Sequence, residues 1–340
     1  MITRICPIIK SKTGIEYDFE TFSKVINSGF NAIRINFSHI SKNMASDYLK
    51  YIRQNHPGVK IIQDLQGHKI RIGNVETITI NKDENFIIGP EEYKYSGNLK
   101  YISLKFECYD LLADTKYFIV ENKNSLTKFY VKTRMNEKGT ILFHCQSDSN
   151  AILRKEKGIN AIGFKREKLQ LSNKDKTDLI WGIENKADII IYSFASSAEQ
   201  IIEMKEYIKS KSPYMPKIWA KIESIEGVKN LSEILRVVDG IMIGRGDMCV
   251  EFSIEDVPMI QDKIIQECKT ANKECIVATH IFENFQNNYD ISDISALFYL
   301  FKNGATGFMP VNEMIFAKDP VYISTKFNRY INKLEEEKIR

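Results

Sequence analysis

The sequence predicts an α/β fold, a (β/α)8 TIM barrel with an inserted small β-rich lid domain. Three observations carry this. Short runs rich in Ile and Val, without polar alternation, occur at residues 4–9, 32–36, 60–64, 188–194, 217–222, 240–243, 275–279 and 307–311. Strands buried on both faces read this way, as in a parallel sheet covered by helices. Amphipathic helical patterns lie between them, and about eight βα units is the number that closes a barrel. The rhythm breaks once, between about Gly73 and Gly158, where the chain turns to short β-rich segments and Asn/Asp/Gly turns.

In chain order, the helical patterns fall at 18–28, 43–54, 174–185, 198–209, 227–237, 257–272, 291–303 and 317–333. Ser172-Asn173 and Ser196-Ser197 stand where helix caps are expected. The insertion reads as antiparallel strands at 77–80, 117–120, 128–132 and 140–144. It leaves after the third barrel strand and returns before the fourth helix. The domain plan is therefore barrel over 1–72, lid over 73–158 and barrel again over 159–340. The last residues, Leu334 to Arg340, read as a solvated helix end.

Composition narrows the class of function. The chain has 340 residues, 43% hydrophobic and 27% charged, which is ordinary for a globular protein and not for a disordered one. A net charge of +4, spread along the chain, argues against nucleic-acid or membrane-surface partners. No run reaches the roughly 20 apolar residues of a membrane helix. Met1-Ile2-Thr3-Arg4 does not open a signal peptide, so a cytoplasmic location is expected. The cysteines Cys6, Cys108, Cys145, Cys249, Cys268 and Cys275 form no C-x-x-C pair and read as reduced, mostly buried thiols. The five histidines lack metal-finger or H-E-x-x-H spacing, so zinc is not expected.

In such a barrel the chemistry gathers at the C-terminal ends of the strands. The second strand ends in Arg34-Ile35-Asn36-Phe37-Ser38-His39. The third runs into Asp64-Leu65-Gln66-Gly67-His68-Lys69-Ile70-Arg71. The fourth reaches Ser193, the fifth gives Lys221-Ile222-Glu223 and the sixth Gly244-Arg245-Gly246-Asp247. The seventh ends at Thr279 and the eighth approaches Glu313. Lys221 and Glu223 are two apart on extended chain and face the same way. The carboxylates Glu223 and Asp247 suit a hard divalent cation such as Mg²⁺. The cations Arg34, Arg71 and Lys221 suit a phosphoryl group, whose transfer is mostly positioning and charge neutralisation. Gly246 lets backbone approach an anion closely. Each residue alone reads more readily as a cap, a turn or a solvated face. Their recurrence at successive strand ends is hard to obtain by chance.

At these residues the chain resembles the pyruvate kinase family. The segments that carry the resemblance are I-R-I-N-F-S-H at 33–39, I-Q-D-L-Q-G-H-K-I-R-I-G at 62–73 and K-G-I-N at 157–160. Further matches are residues 173–178 and 188–194, A-K-I-E-S-I-E-G-V at 220–228 and D-G-I-M-I-G-R-G-D-M-C-V-E at 239–251. Residues 257–264 and Ala278-Thr279 complete the set. It runs from Ile2 to about Ile323 in matching order. The resemblance implies that Lys221 stabilises the transferring phosphoryl group and the enolate. It implies that Glu223 and Asp247 hold Mg²⁺ or Mn²⁺. The Gly246 and Asp247 backbone with the Thr279 hydroxyl would bind the substrate carboxylate, with Thr279 on the proton-transfer side. Arg34 would contact the phosphoryl group, with Arg71 nearby and Ser193 beside it. Asn36, Ser38, Asp64 and the Leu65 carbonyl correspond to a monovalent-cation site. Lys69 stands where many members carry Glu, which is similar to the subtype that does not require K⁺ because an ammonium takes the ion's place.

The departures from the family pattern are local. The first strand, usually followed by T-x-G-P-x-S, here reads Cys6-Pro7-Ile8-Ile9-Lys10-Ser11, and His68 replaces a proline. T-Q-M-L-E-S appears as Thr279-His280-Ile281-Phe282-Glu283-Asn284. P-T-R-A-E-V-S-D appears as Asn287 to Asp293, without its arginine, and L-S-G-E-T as Pro310 to Met314. The sequence stops where the family's regulatory C-terminal domain would begin. The implied activity is Mg²⁺-dependent phosphoryl transfer from phosphoenolpyruvate to ADP, giving pyruvate, in a shortened, unregulated enzyme whose lid closes to exclude water. The alternative is a divergent relative in specialised metabolism that applies metal-enolate chemistry to another acceptor or 2-oxo acid. A non-catalytic binding protein is the third reading, against which the retained Lys221, Glu223 and Asp247 speak. The expected partners are phosphoenolpyruvate or pyruvate and ADP or ATP, with a homodimer through barrel helices.

Overall fold

The computed structural model describes residues 1–8, 18–122, 125–286, 291–311, 314 and 317–339. The expectations placed on Ile9, Lys10, Ser11, Asn287 to Asp290, Asn312 and Glu313 lie outside the described residues. Eight strands close a parallel barrel: β1 (Thr3–Pro7), β2 (Ala32–Asn36), β3 (Lys60–Asp64), β13 (Ile189–Tyr192), β14 (Lys217–Ile222), β15 (Gly240–Gly244), β16 (Glu274–Ala278) and β17 (Gly307–Met309). Around the ring the order is β1-β17-β16-β15-β14-β13-β3-β2. Ile5, Ile62, Ile191, Trp219, Met242 and Ile276 pack together as one buried cluster, which is why these strands show Ile without polar alternation. The register sets Asn36 opposite Asp64, Asp64 opposite Ile191, and Gly244 opposite Ala278, so the polar strand ends share one end of the barrel.

Helices α1 (Phe19–Asn27), α2 (Lys42–Asn55), α3 (Asn173–Glu184), α4 (Ala198–Lys211), α5 (Ile225–Lys229), α6 (Leu231–Val237), α7 (Arg245–Glu251), α8 (Val257–Thr270), α9 (Ile291–Asn303) and α10 (Pro320–Ile339) accompany the strands. The cap expected at Ser197 is present: its side chain accepts from Gln200 N and Gln200 answers in a capping box. The single helix expected at 227–237 is two, α5 and α6. Asn230, between them, leaves helical geometry and donates its Nδ2 to Ser196 O at 2.7 Å. The fourth and seventh strands end earlier than expected. Phe194 and Thr279 both turn to positive φ, +54° and +63°, where no strand continues. None of the described helices is long and apolar enough to cross a membrane.

Contacts divide the chain into two compact units. One comprises Met1–Gly67, Asn173–Cys249 and Ile254–Arg340, and the other His68–Ser172 with Val250–Ser253. The second unit holds β4 (Arg71–Ile72), β5 (Ile78–Ile80), β6 (Asn85–Pro90), β7 (Tyr101–Lys105), β8 (Tyr117–Asn122), β9 (Ser125–Glu137), β10 (Thr140–Ser147), β11 (Ala151–Leu153) and β12 (Asn160–Ile162). Seven of these form one sheet, β12-β8-β9-β10-β6-β7-β4, and β11 pairs with β5. Phe86, Phe118, Phe129 and Phe143, all fully buried, fill its core. A buried ion pair, Arg166 Nη2 to Glu251 Oε1 at 2.7 Å, is joined by Asn160 Nδ2 at 3.1 Å. All six cysteines are free: Cys6, Cys145, Cys268 and Cys275 are buried, and Cys108 and Cys249 are half-buried.

Candidate active site

Asp64, the last residue of β3, has no solvent exposure. A bare buried carboxylate would be protonated, so its partners decide its state. Arg34, from β2, donates Nε to Asp64 Oδ2 at 2.8 Å and Nη2 to the same oxygen. Ser193, one residue beyond β13, donates its hydroxyl to Asp64 Oδ1 at 2.8 Å. Lys221, near the end of β14, donates Nζ to Ser193 Oγ at 3.2 Å and lies 3.6 Å from Asp64 Oδ2. The serine thus uses its single proton toward Asp64 and a lone pair toward Lys221. Burial pushes the Asp64 carboxyl up, but the Lys221 and Arg34 charges and the Arg34 and Ser193 hydrogen bonds outweigh it. The carboxyl is held below the usual aspartate range.

Glu223 follows β14 and is 1% exposed. Its Oε2 stands 3.3 Å from Lys221 Nζ, and its Oε1 accepts the Phe194 backbone N–H at 3.0 Å. The pair expected from Lys-x-Glu spacing on extended chain is therefore in contact. Burial alone would lower the Lys221 pKa. Asp64 and Glu223, with a further contribution from Asp247, reverse this against the opposing Arg34 charge and raise its pKa above the usual lysine range. The Glu223–Lys221 pair is accommodated by a missing side chain. A Cβ on Gly244 would lie 2.6 Å from Glu223 Oε2 and 3.2 Å from Lys221 Cε. Gly67 is excluded from substitution on two counts: its φ is +63°, and a Cβ there would meet Ser193 O at 2.5 Å.

Asp247 lies in the first turn of α7, directly after β15. Gly246 is exposed, and a Cβ there would lie 3.8 Å from Thr279 Oγ1, so Gly246 and Thr279 are neighbours. Thr279 leaves β16 at φ +63° and His280 follows at +53°. For a β-branched residue this conformation costs about 1–3 kcal/mol and is retained only where surroundings enforce it. The Thr279 hydroxyl donates to Ala278 O at 2.6 Å. Arg245 donates Nε to Thr279 O at 3.0 Å and Nη2 to both Thr279 O and His280 O. Gln261 Oε1, from α8, accepts Arg245 Nη1 at 3.1 Å.

Asn36, Ser38, Asp64 and Leu65 occupy two adjacent strand ends. Asn36 Oδ1 accepts from Ser38 N at 3.0 Å, Phe37 N donates to Asp64 O at 2.9 Å and Leu65 N to Ile191 O at 3.1 Å. The structure thus brings Arg34, Asp64, Ser193, Lys221 and Glu223 into one bonded cluster. Lys69 and Arg71 belong to the second unit. There Arg71 Nη1 donates to Glu156 O at 2.9 Å, and Lys69 Cε packs 3.0 Å from the position a Gly158 Cβ would take. Arg245, Gln261, Gly244 and the Phe194 N–H were not singled out from sequence. Gly244 and Arg245 stand in the Gly244-Arg245-Gly246-Asp247 run, and Phe194 and Gln261 within the matched segments 188–194 and 257–264, but no role was attached to any of them.

The donors suit a hard divalent cation. Among the described residues no group of three or more His, Cys, Asp or Glu could hold a metal unaided. Glu223 and Asp247 are two carboxylates, and Mg²⁺ characteristically takes one or two, leaving its other positions to water and ligand oxygens.

A family model described as the barrel domain of pyruvate kinase matches residues 3–295. A pyruvate kinase of Clostridium perfringens is 31% identical over 329 residues, covering 93% of this chain and 67% of that protein. Pyruvate kinases of Staphylococcus epidermidis and Staphylococcus aureus are 30% identical over 278 residues, 79% of this chain. The match spans about half of the staphylococcal proteins' length, 46%. On the family match along most of its length, and on the barrel with its inserted sheet, this chain belongs to the pyruvate kinase family.

Proposed function

We propose that the protein transfers the phosphoryl group of phosphoenolpyruvate to a nucleoside diphosphate, ADP, and so forms pyruvate. The observation that carries this reading is the Lys221 ammonium, held among Asp64, Ser193 and Glu223 where β3, β13 and β14 end. A fixed, protonated amine there neutralises negative charge as it develops on the transferring group and on the enolate oxygen, a contribution that preorganised groups make without reorganising. Arg34, anchored by Asp64 through two N–H groups, contacts the phosphoryl oxygens, with Ser193 beside it. The Gly246 and Asp247 backbone N–H groups and the Thr279 hydroxyl receive the substrate carboxylate. Glu223 and Asp247 would hold Mg²⁺ or Mn²⁺, which when bound supplies charge neutralisation at the phosphate and enolate oxygens. Arg71 is assigned to the phosphate, and Lys69 to the role of the monovalent cation. These last two roles rest on the motif at residues 62–73.

Purified protein with phosphoenolpyruvate, ADP and Mg²⁺, without K⁺, should form pyruvate in a coupled assay. Lys221→Ala should abolish turnover while leaving the circular dichroism spectrum unchanged. Undiminished turnover in Lys221→Ala would overturn the assignment. The departures at residues 6–11 and 310–314 favour a second reading, in which the same chemistry serves another acceptor or 2-oxo acid. Tight oxalate binding with Mg²⁺ but no pyruvate from ADP would select it.

A further inference from the structure

Resting on the reading above, in which the Thr279 hydroxyl meets the substrate carboxylate, we propose that Arg245 and Gln261 are positioning residues. Together they form a latch that holds Thr279 in its left-handed conformation at the mouth of the barrel. Thr279 and His280 are consecutive residues at φ +63° and +53°, the first of them β-branched. A threonine relaxes from this geometry toward extended backbone unless its carbonyl is pinned. The pin is one guanidinium. Its Nε and Nη2 both reach Thr279 O, and Nη2 also reaches His280 O at 2.8 Å. The planar fork that reaches two successive carbonyls is a property of arginine and not of lysine. The guanidinium is itself fixed from behind: its Nη1 donates to Gln261 Oε1 at 3.1 Å, and Gln261 is only 5% exposed.

The arrangement links two strand ends. Arg245 is the first residue after β15, and the next two residues, Gly246 and Asp247, supply the backbone N–H groups assigned to the carboxylate. Thr279 is the first residue after β16, and supplies the hydroxyl. Gly244 and Ala278 are paired in the barrel ladder, so each arm is one residue beyond a fixed register point. Arg245 ties the two arms together over the last gap that the ladder does not span. It touches no ligand in this scheme and acts through Thr279, so its removal releases a hydroxyl and leaves the charges of Lys221, Glu223 and Asp247 in place.

The test is a double-mutant cycle between Arg245→Met and Thr279→Ala, read as kcat/KM for phosphoenolpyruvate and as oxalate affinity in Mg²⁺ by calorimetry. Arg245→Met should lower kcat/KM by about 30- to 100-fold, the scale of misplacing a binding group by an ångström, and weaken oxalate. In the Thr279→Ala background the same change should cost less than about 3-fold, because its target is already gone. Arg245→Lys should recover part of the loss. Equal losses in both backgrounds would overturn the latch, as would unchanged kinetics in a folded Arg245→Met. Hydrogen exchange reads the latch without reference to turnover. Amides of residues 279–282 should lose protection in Arg245→Met and, more weakly, in Gln261→Leu, which serves should the first variant not fold. Unchanged protection there in both would refute the latch. A wild type that latches but makes no pyruvate would refute only the activity assigned above.

Discussion

Gly244→Ala tests how tightly the Lys221–Glu223 ion pair is built. The added Cβ would stand 2.6 Å from Glu223 Oε2, whereas ordinary contact begins near 3.4 Å, so the carboxylate has to retreat by about 0.8 Å. It cannot do so freely. Its other oxygen accepts the Phe194 N–H at 3.0 Å, and Lys221 Nζ stands at 3.3 Å on the near side. A shift of that size takes the Phe194 bond beyond hydrogen-bonding distance. Losing a charge-assisted bond costs about 1.5–3 kcal/mol and overpacking a further 1–3 kcal/mol or so. The variant should therefore be less stable by about 2.5–6 kcal/mol, read as a lower urea midpoint at unchanged slope. On the proposed role of Glu223 as a metal ligand, displacing it by most of an ångström should lower kcat/KM about 100-fold. Gly58→Ala is the control. Gly58 has nothing within 4 Å of an added Cβ, so alanine there should be neutral or slightly stabilising. A Gly244→Ala protein within about 0.5 kcal/mol of wild type and of full activity would refute the reasoning, since surface-like tolerance is not expected in a packed site.

Three further outcomes are expected. Burial lowers the His56 pKa below its ordinary 6.5, so the unfolded chain binds the proton more readily. Stability from this group is complete above pH 6.5 and is lost as pH falls through that value toward the depressed one. The urea midpoint should drop between pH 7.5 and 5.5 and drop less in His56→Gln; equal drops would remove His56 as the cause. Arg166→Met takes the cation from the Glu251 carboxylate, 7% exposed as a residue, and leaves its charge buried beside the neutral Asn160 amide; it should cost about 3–5 kcal/mol, with most of it restored by adding Glu251→Leu. Hydrogen exchange across β8 and β12 reads this, and a single mutant as protected as wild type would contradict it. Lys69→Glu should make turnover depend on K⁺, and an indifferent response would show that the ammonium does not replace the ion.

The barrel was readable because burial on both faces leaves a residue-type signature: Ile189, Ile190 and Ile191, for example, are all buried. The strand ends were less readable. Phe194 and Thr279 turn out of their strands at positive φ, and nothing local in an aromatic or β-branched residue announces that conformation; tertiary contacts such as the Arg245 fork impose it. In the second unit the strands anticipated at 77–80, 117–120, 128–132 and 140–144 correspond to β5, β8, β9 and β10, while β4, β6, β7, β11 and β12 were not anticipated. β4, β11 and β12 have two or three residues each, too few to display a period, and β6 ends in Gly-Pro, which reads as a turn. In the site, Lys221, Glu223, Asp64, Arg34 and Ser193 were nameable because side chains bond to side chains at strand ends. Arg245 and Gln261 were not, because Arg245 acts on a pair of backbone carbonyls, which every residue possesses, and Gln261 acts only on Arg245.

The charges around Lys221 carry a consequence for the order of binding. Four other charged side chains act on it: Arg34, Asp64, Glu223 and Asp247. With Lys221 itself this is two cations against three carboxylates, a net charge of −1. The cations are not idle: Arg34 is engaged by Asp64, and Lys221 is shared between Asp64 and Glu223. A carboxylate-bearing ligand would therefore meet a slightly repulsive mouth, in a region where burial strengthens every charge interaction. A bound divalent cation changes the balance to +1, and anion binding becomes favourable. Oxalate should accordingly bind measurably only with Mg²⁺ or Mn²⁺ present. Glu223→Gln, which removes one carboxylate, should weaken cation-dependent binding without creating cation-independent binding, because it also frees Lys221 to pair fully with Asp64. Calorimetric titration of oxalate into protein stripped by chelator, then into protein with Mg²⁺, reads this directly. Equal affinity in both would show that the amine and guanidinium alone suffice to capture the carboxylate, and that the compensation drawn from the Asp64 and Glu223 contacts does not govern the site.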